Sequence, residues 1–473
     1  PLEYPAAVVW PESVEQIQAI LRVARAHHAP IIPYGAGSGV TGGTVPDSQS
    51  LIVDTKRLNQ ILKIDAEHLQ LEAQVGILGE ILERRLAHHN LTLGHSPSSI
   101  NCSTLGGWLA TRSAGQLSTR YGKIEDNILS LRAILADGSI FDTTQIQEFL
   151  PGLDAPSLLV GSEGTAGILV DAQLRLFPAP ASRSFRGISY PNTSGGLEAI
   201  RQIMATGIRP AAVRLYDPID TLFVGSGKTD SSKDNSSHSF LKDMLSGSGG
   251  LGRWVFRRFL QNHTLVNRLS PFLPGGALLI LSFEGEPEQV NAEVEDCLDI
   301  AKRCGGKDLG DRPGKTWWER RHAVSYKQSP VIDRGAFVDT MEVAATWDKL
   351  ERLHRHVRRA ISKEAIVLAH FSHAYASGCA IYFTFIFPAC GFETTRKRYL
   401  RIWDRGLRAA LRVGGTISHH HGVGMLKKKY ALQERTGELN LLSRLTEAFD
   451  PDRRMNPARR LDTVSRDHSS SWL

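Results

Sequence analysis

The stretch 418–424, SHHHGVG, sets His419, His420 and His421 side by side, with Lys427, Lys428 and Lys429 just beyond. Imidazole exchanges protons near neutrality, so three uses arise: acid/base catalysis, metal ligation or an affinity tag. The cluster lies inside the sequence and is framed by Gly414, Gly415, Gly422 and Gly424, which does not suit a tag. In an extended segment neighbours point to opposite faces. Only His419 and His421 would then converge, with no Cys, Asp or Glu at ligand spacing, so no metal is expected. The same alternation singles out His420 as the imidazole pointing into a site, with glycines letting the backbone approach a flat ring. The lysine run reads either as anion recognition or as a solvated face.

Tyr382 lies in AIYFTFIF. Strand alternation puts Ile381, Phe383, Phe385 and Phe387 on one face and Tyr382, Thr384 and Ile386 on the other; on pattern alone this is a half-buried tyrosine bonded to a carbonyl. Arg214 interrupts the apolar AAVRLYDP, where it either pairs with an acid such as Asp217 or clamps an anion. His95 in GHSP and His373 in HFSHAY are loop histidines by context, His95 being the stronger pocket candidate.

Three segments suit a large polar cofactor. PYGAGSGVTGG (33–43) holds five glycines after a strand-like run, and glycines bring backbone N–H groups close to an anion. An extended LIVDT follows rather than a capped helix, so this is not the Rossmann fingerprint. The stretch 94–128 is dense in Ser, Thr and Gly and poor in large apolar residues; it reads as chain wrapping a ligand and not as a core element. VGSEGTAGIL (160–169) repeats that chemistry.

The elements that must position these residues follow from periodicity. Ser13 with Gln16 three residues on, then Ile17, Ile20, Leu21 and Ala24 on one face, predict a capped amphipathic helix. Strands and helices alternate from PIIPYG through LIVDT, LQLEAQVG and LGEILERRLAHHN, past an Asp137-Gly138 turn, to GILVDAQLRLFPAP. A boundary is expected near 178–181. Beyond it a strand-then-helix pattern recurs to about residue 410, which predicts an α+β sheet with helices on one side. A polar Ser/Gly-rich stretch at 224–240 reads as a surface loop. In 251–273, Leu251, Val255, Phe259 and Leu260 share a helical face near arginines. That is a helix packed on the sheet, with a basic amphipathic segment on a membrane surface as the sharper alternative.

The 473 residues suffice for two or three domains. Lys and Arg number 56 against 49 acids, for a charge of +7; the basic residues read as scattered along the chain. The excess fits an anionic ligand or lipid surface, and no nucleic-acid signature is present. Five cysteines without metal spacing read as reduced, buried thiols in a cytosol-like compartment. No apolar run approaches the length of a spanning helix, and no signal peptide is expected. The location expected is therefore cytoplasmic, peripheral to a membrane if the lipid-surface reading holds.

The three glycine-rich segments in this order resemble the FAD domain of the vanillyl-alcohol oxidase and p-cresol methylhydroxylase (PCMH) type. Within that superfamily the chain is similar to the alkyldihydroxyacetonephosphate synthases, through STLGGWLATRSAG with YGKIED, GSEGTAGIL, AAVRLYDP, SGCAIYFTF and SHHHGVG. The resemblance implies an α+β architecture: a two-subdomain PCMH-type FAD-binding domain (1–181), an α+β cap domain with an antiparallel sheet (182–412), and a C-terminal segment (413–473) returning to the flavin. It implies FAD held by Pro33, Gly35, Ala36, Gly37, Ser38, Gly39, Val40 and Thr41. Pro97, Ser98, Thr104, Gly106, Gly107, Thr111, Ser113 and Ala114 would follow along the cofactor, with Glu163, Gly164 and Ile168 near its adenine end. No histidine lies within 33–44, so the FAD is expected to be non-covalent.

The implied reaction replaces the acyl group of acyl-dihydroxyacetone phosphate by a long-chain alcohol without net redox change. Tyr382 and His420, with His419 and His421 beside it, are its acid/base candidates, and Arg214, His95 and Lys327 its substrate contacts. His420 is expected at the flavin's reactive edge, opposite Tyr382. The substrate is thus lipid-like, and a homodimer is a further expectation. Three positions depart from the family pattern: Ser96 and Ser98 replace acids, and Gln328 stands where an arginine is expected. The rival reading is an FAD-linked dehydrogenase or oxidase of a 2-hydroxy acid or other alcohol.

Overall fold

The computed structural model describes residues 4–143, 154–225, 256, 258–269, 276–323 and 329–461. The chain forms two compact units, one of Pro1–Ala179 with Ser418–Leu473 and the other of Pro180–Ile417.

In the first unit the helix Val14–Ala26 starts where its cap requires: the Ser13 hydroxyl accepts from the Gln16 N–H. Gln16 reaches back one residue further than a capping box would, to the N–H of Glu12. Ile17, Leu21 and Ala24 are buried and pack with Ile31, Val53, Ile134 and Ile168. A parallel sheet runs Ala7–Val9, Leu51–Asp54, Ile31–Tyr34, and a mixed-register antiparallel sheet runs Ile61–Asp65, Gln70–Gln74, Ile168–Arg175, Ile128–Ile134, Ile140–Asp142. Met455 bridges to Ile31, the Asn456 N–H donates to the Ile31 carbonyl and the Ile31 N–H to that of Arg454, so the C-terminal segment is part of this core.

The stretch 94–128 corrects one expectation. Ile100, Leu105, Trp108, Leu109 and Ile124 are buried in the hydrophobic core, so this stretch is both ligand-side loop and core element. The small residues are what let it pack: a Cβ on Gly106 would come within 2.8 Å of the Val75 side chain.

The second unit is a seven-stranded antiparallel sheet in the order Lys307–Asp308, Ser182–Tyr190, Ala277–Gly285, Ala212–Tyr216, Ile366–Ala374, Gly378–Pro388, Ala336–Thr346. The strand-then-helix pattern recurs as expected: Pro287–Arg303, Trp347–Ile361 and Phe392–Arg412 each follow a strand. Their apolar stripes, such as Leu350, Leu353, Val357 and Ile361, are buried. The positive charge is not scattered. Residues 347–364 and 392–412 hold 13 basic and five acidic residues, a surplus of eight against seven for the whole chain. Glu364 serves three of these arginines, at 3.7 Å from Arg398, 3.3 Å from Arg401 and 2.8 Å from Arg405.

Two further expectations need adjustment. Only Cys297 and Cys379 are buried, whereas Cys102 and Cys390 are exposed; none of the five forms a disulfide. In 251–273, Leu251 and Val255 lie outside the described residues, as do residues 226–240 of the polar loop. Phe256 and Leu260 are buried against Ile219, Ile366 and Leu368, with Phe259 partly so, the packing of a helix on the sheet, while Leu265 and Leu269 are exposed. Among the described residues no helix is long and apolar enough to cross a membrane.

Candidate functional site

In the first unit three loops meet around the glycine-rich turn. After the strand Ile31–Tyr34 the chain stays irregular to Leu51, and residues 37–40 are exposed. A Cβ on Gly39 would meet nothing within 4 Å, so the backbone there is open to a group that comes close. Gly35 instead abuts the Thr104 hydroxyl, where a Cβ would lie 2.3 Å away. The first two segments are thereby locked together. Thr104 caps the helix Leu105–Thr111 by accepting from the Gly107 N–H at 3.3 Å, and the Thr111 hydroxyl donates to the Gly107 carbonyl at 2.9 Å. The Gly106 N–H is committed to the Val75 carbonyl, and Ser98 accepts from the Gln116 amide. Ser113 and Ala114 are buried beside them, Pro97 as well, and Gly164 packs on Pro33. Ile168 is buried in the core.

His95 is 1% exposed, and its ring lies 4.7 Å from that of Trp108. Neither ring nitrogen has a hydrogen-bond partner among the described residues. Burial, helped by the nearby His420 and Lys123, holds its pKa down to about 3. It is therefore a neutral imidazole with donor and acceptor unspent, which suits contact with a polar ligand. The open glycine turn and this orphaned imidazole together fit a large polar cofactor with its substrate.

The histidine run also belongs to this unit and departs from the expected alternation. Residues 419–421 bend rather than extend. Nδ1 of His419 lies 3.0 Å from Nδ1 of His420, and the rings of His420 and His421 are 4.4 Å apart. All three imidazoles thus touch in series, and alternation does not single out His420; the turn through Gly422 replaces the strand geometry. The lysines divide as well. Lys427 is fully buried, and Lys428 donates to the Ala458 carbonyl at 3.2 Å, so the run is not a uniform solvated face.

In the second unit the strand register builds a polar row. His370 pairs with Tyr382 on one side and with Tyr216 on the other, while Arg214 is two residues from Tyr216. The His370 ring stacks on Tyr382, with centroids 5.0 Å apart and planes 19° from parallel. Nη2 of Arg214 lies 2.6 Å from Nε2 of His370, and Nδ1 of His370 lies 3.1 Å from Asp220. A guanidinium can only donate. Nε2 is therefore the acceptor, and the Nδ1–H donates to Asp220. The Tyr382 hydroxyl accepts from Thr340 at 3.1 Å. Burial pushes its pKa up to about 12, so it is a protonated hydroxyl at neutral pH.

Asp217, the ion-pair partner expected for Arg214, is taken by Arg358 and by the N–H of Ala369. Arg214 meets His370 instead, and its buried Nε has no partner among the described residues. An arginine in that state is suited to an incoming anion. His370 is the residue that sequence reasoning missed, although the strand alternation of LAHFSHA held the signal. His373, named instead, sits half-buried at a bulge with φ of 56°. Lys327 and Gln328 lie outside the described residues.

Comparison with known proteins places these two units in context. A model for an FAD binding domain matches residues 5–144, and one for the C-terminal domain of FAD linked oxidases matches residues 179–459. The chain is similar to an alkyldihydroxyacetonephosphate synthase of Caenorhabditis elegans, at 30% identity over 98% of this chain and 77% of that protein. It is also similar to the glycolate oxidase subunit GlcD of Bacillus subtilis (strain 168), at 26% identity over 96% and 88%. Among solved structures, an alkyldihydroxyacetonephosphate synthase superposes with a TM-score of 0.72 at 26% identity, covering 95% of this chain and 75% of that one.

Proposed function

Because the chain belongs to the FAD-linked oxidase family and takes FAD as its cofactor, we propose that it exchanges the acyl group of acyl-dihydroxyacetone phosphate for a long-chain alcohol. The observation that carries this reading is the polar row in the second unit. It holds one cation with unspent donors, Arg214, beside one protonated hydroxyl, Tyr382. A phosphate monoester needs the first, and a substitution at the acyl-bearing carbon, across the ketone from the phosphate, needs the second.

In this reading the carbon–oxygen bond to the acyl group breaks and a fatty acid departs as carboxylate. The alcohol oxygen then bonds to the same carbon and gives up its proton, so nothing is oxidised overall. FAD, held non-covalently, supplies when bound the ring at which that carbon is activated. Tyr382 holds or moves a proton at its hydroxyl, and the imidazoles of His419, His420 and His421 serve as the second proton station. Arg214, with Lys327, holds the phosphate, and Asp220 fixes the His370 tautomer that keeps Arg214 in place. His95, neutral and buried, contributes a polar contact without charge. The lipid-like substrate brings with it contact with a membrane surface through 251–273, where Leu265 and Leu269 are exposed apolar residues among those described.

A second reading, oxidation of a 2-hydroxy acid, is favoured by the similarity to the glycolate oxidase subunit and by Gln328. One experiment separates them. Purified FAD-loaded protein is given acyl-dihydroxyacetone phosphate with a long-chain alcohol, then lactate or glycolate without oxygen. Ether product with the flavin left oxidised supports exchange; lasting bleaching by the hydroxy acid, with no ether formed, overturns it.

A further inference from the structure

The helix Gly424–Glu434 begins directly after the histidine run and has no side-chain cap from its own N-cap residue, Val423. The missing acceptor comes from far away in sequence. Val423 N–H donates to Oε1 of Glu163 at 2.5 Å, and Gly424 N–H donates to Oε2 at 2.9 Å. One carboxylate thus takes both N–H groups that leave the histidine loop.

Glu163 is itself fixed. Its φ of 51° is left-handed, its N–H donates to the Ala110 carbonyl at 3.0 Å, and its own carbonyl accepts from the Asn456 side chain at 2.7 Å. Asn456 holds the Gly43 carbonyl as well, at 3.0 Å. The loop accommodates the clasp because position 422 is glycine. With φ of 73°, Gly422 has a conformation that L side chains avoid, and a Cβ there would lie 3.0 Å from Glu163 Oε1.

The other two cofactor-side loops grip the same run by its carbonyls. The Thr41 hydroxyl donates to the His421 carbonyl at 3.1 Å, and Lys123 Nζ donates to that of His419 at 3.0 Å. Each of the three glycine-rich segments therefore contributes one side chain that binds the backbone of the histidine loop.

We infer that Glu163 is a positioning residue, the clasp through which the cofactor-binding loops set the place of His419, His420 and His421. This rests on the reading that those imidazoles serve the reaction. Glu163 acts from the protein side of the cradle, and its carboxylate is not a ligand of the cofactor.

The test compares Glu163→Ala and Glu163→Gln with the parent as FAD-loaded proteins. Hydrogen exchange of peptides covering 416–426, released FAD per chain, and kcat and KM are measured. Exchange in that segment rises by about 10- to 100-fold in Glu163→Ala and less in Glu163→Gln, which keeps one acceptor. The kcat falls by about tenfold or more, while KM and FAD content stay within about twofold. Unchanged exchange overturns the inference. Loss of FAD without a local rise in exchange also overturns it, by making Glu163 a cofactor ligand. A local rise with kcat unchanged removes the positioning role. Should Glu163→Ala fail to fold, Lys123→Met, which removes the donor to the His419 carbonyl, tests the grip on the same loop and is held to the same outcomes. If the parent forms no ether product, the functional reading fails on its own; exchange still tests the clasp, with flavin reduction by a hydroxy acid as the turnover readout.

Discussion

His370 stacks on Tyr382 across two neighbouring strands, with ring centroids 5.0 Å apart, while its Nε2 accepts from Arg214 at 2.6 Å. One imidazole thus fixes the two side chains on which the proposed chemistry depends. His370→Ala leaves Arg214 without its partner and Tyr382 without its stacking surface. The expected result is a fall in kcat/KM of about 10- to 100-fold, from loss of a hydrogen bond to a charged donor. His370→Gln, which can still accept from Arg214, restores part of the KM. Steady-state kinetics on the three proteins check this, and equal losses in both variants count against it.

Tyr382→Phe removes the hydroxyl and leaves the ring in its place between strands. Turnover is expected to fall by about 10²- to 10⁴-fold, the usual contribution of a positioned proton donor or acceptor. Stability changes by about 1 kcal/mol for the bond lost from Thr340. Product formation and a denaturant midpoint, taken on the same preparation, separate loss of chemistry from loss of fold.

Acid should weaken the fold through two buried imidazoles. Burial lowers the pKa of His95 in the first unit and of His354 in the second to about 3, against about 6.5 for a free imidazole. Between pH 6.5 and 3 the unfolded chain binds more protons than the folded one, so stability is lost as pH falls through that window. Each histidine contributes up to about 1.4 kcal/mol per pH unit there. Urea midpoints at pH 7 and pH 5 measure the slope. His354→Phe, set among Phe371 and Phe383, is expected to flatten it, and an unchanged slope contradicts the assignment.

The open side of the glycine turn is where cofactor and fold can be told apart. Gly39→Ala meets no protein atom within 4 Å, so the unloaded protein should keep its melting temperature. FAD retention is expected to drop, because the new methyl occupies space the cofactor needs. Absorbance of bound flavin per chain and a thermal melt decide it; FAD content equal to the parent shows that position 39 does not face the cofactor.

Much of the scaffold is legible in the sequence because local periodicity and side-chain chemistry coincide. The Ser13 cap, the buried face of Ile17, Leu21 and Ala24, and the alternation that sets Tyr382 apart from Phe383 and Phe385 are all realised. Each depends on neighbours within a few residues. The stretch 94–128 was harder to read, since small polar residues suit both a ligand loop and tight packing around Trp108.

What the sequence determined by itself was the set of residues able to do chemistry: the glycine-rich turns, the imidazole run, Arg214 and Tyr382, each recognisable by type and local spacing. Only the tertiary structure decided their partners. Arg214 reaches His370 rather than the nearby Asp217 because antiparallel register, a long-range property, brings residue 370 beside it and gives Asp217 to Arg358. The histidine run bends, rather than alternating, because Glu163, Thr41 and Lys123 bind its backbone from segments more than 250 residues away. Partner choice depends on which distant groups share a buried volume, and no window along the chain contains that information.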